Sequence, residues 1–410
     1  MIMETPWEYR YAQRIKNMKS SAIREILKLT QEPEIISFAG GLPAPEVFPV
    51  DEIKRASEIV LTEVGAQALQ YSPTEGYPPL REMIAEYSKP LGLNITIDNI
   101  LITSGSQQAL DLLGKVFINP GDRILVESPT YVGALQAWNA YRAEYGVVPL
   151  DDDGLQTDVL EEALRVGPKF IYVLPNFQNP TGVTLSYERR QVLVELTDKY
   201  GIPIIEDDPY GSLRYAGEYI PPIVVMDCEY RNNDCGTYQG NVIYLSTFSK
   251  TLAPGIRLAW VVAPPNVIRK MVQAKQGADL HTSTFIQMVA YEVARDGFLL
   301  NYIEKIRAVY GERRQIMLNA LDQHFPPSVK WTRPEGGMFV WATLPNGVNA
   351  EEIFKKAVAQ KVAFVPGWSF HATGGGENTM RLNFSNQNPE RIQEGIARLG
   401  KVLYDELNGK

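Results

Sequence analysis

Lys250 stands in "YLSTFSKTLAPGIRLAW", just past an apolar run that reads as a buried strand. Thr247 and Ser249 place hydroxyls before it, and Arg257 follows on the far side of a Pro-Gly pair. A lysine held among apolar walls beside another cation has a depressed pKa and becomes a nucleophilic amine. Such an amine condenses with a carbonyl compound, while hydroxyls and an arginine suit a phosphate. Other chemistry-bearing residues occupy equivalent places. "NILIT" ends in the glycine turn "SGSQQAL", where the N–H groups of a helix start and the Ser104 and Ser106 hydroxyls suit an anion. The same residues also suit an ordinary cap and turn. "DRILVESP" leads to Tyr131, placed to lay its face on a planar ligand, although read alone it suits a core aromatic better. "KFIYVLPN" leads to Asn179 in "FQNPTG", either an amide donor or a turn residue. Pro129 and Pro180 are the candidates for cis bonds, which collect in tight turns.

"IPIIE" leads to Asp207, Asp208 and Tyr210. A carboxylate at the end of a buried strand is costly unless a cation or several donors compensate it. A protonated ring nitrogen would compensate Asp207, with Tyr210 reaching the same ligand. Capping of the following turn explains the two aspartates equally well. Taken together, the strand ends ask for one ligand with an aldehyde, a phosphate and a pyridine nitrogen. Pyridoxal 5′-phosphate (PLP), held by a lysine and an acidic partner for its ring nitrogen, has all three.

The elements that must position these residues are short β-branched or aromatic runs, each closed by polar turn residues. "NVIYLST" and "LAWVVAPP" complete the set, and helical patterns such as "YERRQVLVELTDKYG" follow most of them. Alternation of this kind means α/β with a largely parallel sheet buried on both faces. Ligands then sit outside the carboxyl ends of the strands. At 410 residues the chain is long for a single core. We divide it into an arm (1–45) with a helical stretch "SSAIREILKLT", a large ligand-binding domain (46–295) and a smaller α+β domain (296–410). The last contains "GGMFVWATL", "VAFVPG" and "TMRLNFS".

A net charge of −8 and a pI near 5.2 argue against nucleic acid as a partner. No run approaches the roughly 18 apolar residues of a membrane span, and the start of the chain has no apolar leader pattern. A cytoplasmic protein is expected. The 3 histidines are scattered, so no metal site is expected, and acid–base work falls to a lysine, tyrosine or carboxylate. Cys228 and Cys235 fit no zinc or redox motif; they could form one bridge, but two free thiols in a reducing cytosol are the expectation.

The motifs "LQYSPTEG", "TSGSQQAL", "QNPTG", "EDDPY", "FSKTLAPGIR" and "MRLNF" resemble those of the fold-type-I, class I PLP-dependent aminotransferases. The likeness runs from "FAGGLPAPE" through "MRLNFS" and is closest to the 2-aminoadipate and kynurenine aminotransferase branch. It implies a large domain with a mostly parallel seven-stranded sheet plus a smaller α+β domain. It also implies ping-pong amino transfer between L-amino acids and 2-oxo acids, with a broad substrate range. Glutamate, 2-aminoadipate, aromatic and aliphatic substrates are the ones expected.

Residue by residue, the resemblance makes Lys250 the Schiff-base lysine and proton shuttle, and Asp207 the partner of the ring nitrogen. Tyr210 and Asn179 would bond the ring hydroxyl, and Tyr131 would stack on the ring. Ser106, Gln107, Thr247, Ser249 and Arg257 would hold the phosphate. Thr247 stands where relatives often carry serine, and the hydroxyl is kept. Tyr71 would reach the phosphate of a neighbouring subunit, implying a homodimer with shared sites. Arg381 would clamp the substrate α-carboxylate; read alone it is either an inward guanidinium that needs a fork-shaped anion or, slightly favoured, a solvent-facing arginine on an edge strand. Gly40 and Gly41 would let backbone approach the substrate. Arg24 would meet a distal carboxylate, and reads equally as a solvated helix residue beside Glu25 and Lys28. Fold and cofactor do not fix reaction class, so a β-lyase or decarboxylase is the alternative, and a non-catalytic sensor domain a remote one.

Overall fold

The computed structural model describes residues 6–16, 18, 32–231 and 237–408. Arg24 and the helix expected around it lie outside the described residues. Strand β1 (Ile36–Ser37) belongs to the arm, and β2 (Ile100–Thr103), β3 (Arg123–Ser128), β4 (Glu144–Asp151), β5 (Gly154–Leu155), β6 (Ile171–Val173), β7 (Ile204–Asp207), β8 (Val242–Thr247) and β9 (Ala259–Val262) follow. The last eight form one sheet in the order β2-β9-β8-β7-β6-β3-β4-β5. Neighbours from β8 through β4 run parallel. β9 is antiparallel to both β8 and β2, so β2 points the same way as the parallel set. One strand exceeds the expected seven, because the chain folds back after β4 and adds the two residues of β5 antiparallel to it.

The centre of the sheet explains why its strands read as unbroken apolar runs. Every residue of β6 and β7 is buried, as are four consecutive residues of β3. Helices cover both faces, which leaves no solvent side for polar alternation. Each such Ile or Val contributes roughly 1.5–3 kcal/mol by burial. β4 is mostly half-exposed and is broken by Gly146 and Pro149, so its sequence carries no comparable signal.

A second sheet has the order β10 (Lys330–Trp331), β11 (Phe339–Thr343), β14 (Thr379–Asn383), β13 (Val365–Pro366), all antiparallel. β12 (Val362–Ala363) pairs in parallel with β1 of the arm. The Phe38 N–H extends that pairing to Ala363 O at 2.7 Å, and Ser385 Oγ donates to Leu42 O at 2.9 Å. Residues 36–42 are thereby tied to the C-terminal part of the chain. Cys228, buried in the helix Ile223–Tyr230, is disulfide-bonded, so the expectation of free thiols fails for it. Cys235 lies outside the described residues. Counting cysteines against a reducing compartment says nothing about where the fold places them.

Candidate active site

All five strand ends singled out above open on one edge of the large sheet. β2, β3, β6, β7 and β8 end there, and antiparallel β9 begins there, which brings Arg257 to the same edge. A cavity of ≈ 350 Å³ lies at this edge, and Lys250, Asp207, Tyr210, Tyr131, Asn179, Ser106, Gln107, Thr247, Ser249, Arg257, Gly41 and Arg381 all line it. Gly40 is buried beside it without facing it. Tyr71 is 77% exposed and outside this cavity, with its ring edge-on to His281 at 5.8 Å.

Lys250 Nζ donates to Gly41 O at 2.8 Å, the arm supplying one wall. Burial, and then the charges of Arg381 and Arg257, pull its pKa down to about 8. A much larger share of this amine is neutral near pH 7–8 than for a solvated lysine.

The two aspartates divide the alternatives between them. Asp208 holds the turn, accepting from Gly211 N at 2.8 Å and Asn176 Nδ2 at 3.0 Å. Asp207 faces the cavity. Its Oδ2 accepts from the Tyr172 hydroxyl at 2.7 Å, and its buried Oδ1 has no partner among the described residues. Burial pushes the Asp207 pKa up to about 7, against the pull of the Tyr172 bond, and the charge of Asp208 adds to the rise. A cation brought against its free oxygen would lower that value again.

On the anion side, the helix Ser106–Phe117 aims its N-terminus at the cavity. Ser106 Oγ is buried without a partner among the described residues. Arg257 Nη1 reaches Ser249 Oγ at 3.4 Å and Pro254 O at 3.0 Å. Its guanidinium lies so close to Gly105 that a Cβ there would sit 2.1 Å from Nη2, and Gly105 has φ +80°. Only glycine permits both. Thr247 Oγ1 accepts from Ser249 N and donates to Ser249 Oγ, each at 3.0 Å. The Gln107 side chain is spent on Gly133 O at 2.8 Å. That bond ties this helix to the helix Val132–Asn139, and Trp138 Nε1 ties them again through Leu110 O at 2.9 Å. Gly133 lets the Tyr131 ring lie across the second helix's start, where a Cβ would meet Tyr131 Cζ at 2.4 Å.

Arg381 sits on β14 between β11 and β13, an interior strand, and is only 3% exposed. The edge-strand reading therefore fails. Its Nη1 donates to Asn179 Oδ1 at 2.8 Å and its Nη2 to Ala39 O at 2.7 Å, while buried Nε has no partner among the described residues. The guanidinium lies over the rings of Phe339 (4.3 Å) and Phe370 (4.9 Å). Such contacts favour a desolvated cation by about 2 kcal/mol or more. Even so, burial lowers the Arg381 pKa to about 10. Tyr210 is buried edge-on to Phe339. Both Ser128–Pro129 and Asn179–Pro180 are cis, which sets the turns carrying Tyr131 and Asn179.

The donor set fits PLP on three independent counts. A buried carboxylate oxygen without a donor suits a ring N–H⁺, an open helix start with an unpartnered hydroxyl suits a phosphate, and an amine of lowered pKa suits an aldehyde. Tyr172, Phe339 and Phe370 were not singled out by sequence. Tyr172 reads as one more core aromatic of β6, and only the pairing of β6 with β7 reveals its partner.

The fold and this cavity define a fold-type-I PLP-dependent transferase. The chain belongs to the family of class I and II aminotransferases, whose model matches residues 39–399. It is a PLP-dependent aminotransferase. It is 48% identical over 408 residues to aromatic-amino-acid aminotransferase 1 of Thermococcus litoralis, covering 98% of this chain and 95% of that one. It is 46% identical over 398 residues to the 2-aminoadipate transaminase of Thermus thermophilus, covering 97% of each. A solved kynurenine aminotransferase of Pyrococcus horikoshii, in complex with PMP, superposes with a TM-score of 0.92 at 45% identity, covering 98% of each chain.

If Tyr172 keeps Asp207 ionised, Tyr172→Phe raises the carboxyl pKa. The acid limb of kcat/KM then moves to higher pH, and activity at neutral pH falls about tenfold, the usual worth of one hydrogen bond to a charge. A pH–rate profile of the two proteins checks this.

Proposed function

We propose that this aminotransferase is a broad-substrate enzyme, exchanging amino groups among glutamate, 2-aminoadipate, aromatic and aliphatic amino acids and their 2-oxo acids. The observation that carries the reading is Arg381, a desolvated guanidinium whose Nε has no partner among the described residues, in the same cavity as Lys250 and Asp207. Arg381 and Asn179 bind the α-carboxylate, which every α-amino acid and 2-oxo acid has, so binding does not itself select a side chain. Lys250 receives the Cα proton of the donor and returns a proton at cofactor C4′, reversing the transfer for the acceptor. Bound there, PLP supplies an electron sink and stores the amino group between the half-reactions. Asp207 holds a proton at the ring nitrogen, Tyr131 covers the ring, and Tyr210 with Asn179 bonds the ring hydroxyl. Ser106, Gln107 (by its backbone), Thr247, Ser249 and Arg257 hold the phosphate.

The reading extends to Arg24 as the partner of a distal side-chain carboxylate and to Gly41 as a close backbone approach. Gly40 has no direct part in it. It also includes a homodimer in which Tyr71 completes the phosphate site of the other subunit, supported by the exposure of that tyrosine. The chain divides as arm (1–45), large domain (46–295) and small domain (296–410), supported by the pairing of β1 with β12. Neither nucleic acid nor membrane is a partner, in keeping with the net charge of −8. We place the enzyme in the cytoplasm, where these metabolites are exchanged; no helix among the described residues is long and apolar enough to cross a membrane.

The test is a donor panel of L-glutamate, L-2-aminoadipate, L-phenylalanine and L-leucine, each with 2-oxoglutarate or pyruvate. All four are expected to donate, and turnover of one class alone would overturn the breadth. Arg381→Lys keeps the charge and loses the fork. It should lower kcat/KM about 10²-fold for every donor and acceptor alike, mostly through KM.

A further inference from the structure

Behind the anion site lies a buried charge that the chemistry above does not use. Lys275, near the end of the helix Pro265–Gln276, is fully buried, where lysine is rare. Its Nζ donates to Asp279 Oδ1 and Oδ2 at 2.8 Å each, to Gln108 Oε1 at 2.7 Å and to Thr282 Oγ1 at 3.1 Å. The acceptors have a second duty. Gln108 Oε1 accepts from the Ser104 N–H at 2.8 Å, and Gln108 Nε2 donates to Asp279 Oδ2 at 2.6 Å. Ser104 Oγ donates to that same Asp279 oxygen at 3.1 Å and lies 3.1 Å from Thr282 Oγ1.

Ser104 is therefore gripped at backbone and side chain by groups that the Lys275 ammonium itself holds. It immediately precedes Gly105, which admits Arg257, and Ser106, whose hydroxyl has no partner among the described residues. An ion pair between a fully buried Lys275 and an Asp279 that is 28% exposed adds little stability for the cost of burying the lysine. Its geometric product here is a fixed turn.

We propose that Lys275, together with Asp279, is a positioning residue for the phosphate site, holding Gln108 and so the turn Ser104–Ser106 in the conformation that receives the anion. This rests on the reading of that turn as the phosphate site. Preorganised donors spare the ligand the cost of ordering them. Loss of the grip therefore weakens the hold on the phosphate more than the hold on the ring.

The experiment titrates apoprotein with PLP and with pyridoxal, which lacks the phosphate, and compares the ratio of the two affinities. Lys275→Met/Asp279→Asn removes both charges without leaving either buried alone. Gln108→Met cuts the link to Ser104 and leaves the ion pair intact, which provides a second arm should the double variant fold poorly. In each variant the affinity ratio is expected to fall about 30-fold, with pyridoxal binding changed by no more than about twofold. Inorganic phosphate should also compete less well with PLP. An unchanged ratio, or an equal loss for both ligands, overturns the proposal. If the wild-type protein itself shows no preference for PLP over pyridoxal, the phosphate-site reading fails and the proposal with it.

Discussion

Lys250→Ala is expected to lower kcat by about 10⁴-fold or more, because in the proposed mechanism one side chain supplies both the capturing amine and the proton carrier. The variant still binds the cofactor, since the phosphate site and Asp207 are untouched. Borohydride treatment should fix the pyridoxyl group on the wild-type protein and not on the variant, read as a mass gain. The lowered amine pKa adds a pH dependence with a definite sign. Only the neutral amine attacks an aldehyde, and the folded-state value is about 8. Covalent capture by wild-type apoprotein should accelerate about tenfold per pH unit below that value and level off above it. A midpoint near that of a solvated lysine, about 10.4, would mean the amine is not desolvated in the way the cavity indicates.

Asp207→Asn is expected to have the second largest effect, a fall in kcat of about 10³-fold, in line with loss of one preorganised charge opposite the reacting system. Asparagine keeps the shape and still accepts from Tyr172, so the fold is preserved. It no longer holds a proton at the ring nitrogen. The cofactor affinity should drop by only about tenfold, because the phosphate contacts are separate. Stopped-flow measurement of the half-reaction with L-glutamate separates the two effects. A variant with near wild-type rates would remove Asp207 from the chemistry and return it to the capping role, which Asp208 already performs.

What the sequence made legible followed from one physical regularity. In a sheet covered on both faces the strands must be apolar, so the first polar residues after each strand stand out. Lys250, Asp207 and Asn179 stood out in that way, and Arg257 by its place seven residues after Lys250; the structure brings all four to one cavity. Arg381 needed the resemblance to tip the balance, since its own strand gives no hint that it is interior to the small sheet and leaves the inward and the solvent-facing readings both open. The residues that escaped are those whose meaning is tertiary. Tyr172 acquires its role only when β6 pairs with β7, and Phe339 and Phe370 only when β14 carries Arg381 between them. Lys275 reads as one more cation on an exposed helix; its spacing of four to Asp279 was the available signal. β4 escaped because a half-exposed strand with a glycine and a proline lacks both the apolar run and the alternation. Gly40 and Gly41 were read as a pair, and only Gly41 faces the cavity.

The central claim is tested most directly by adding L-glutamate to the holoprotein with no 2-oxo acid present and following the cofactor spectrum. The account predicts conversion of bound PLP to pyridoxamine phosphate, release of a stoichiometric amount of 2-oxoglutarate, and full return of the PLP spectrum when 2-oxoglutarate is supplied in excess. Release of ammonia or carbon dioxide in place of a reversible conversion would contradict it, as would a spectrum that no amino acid changes.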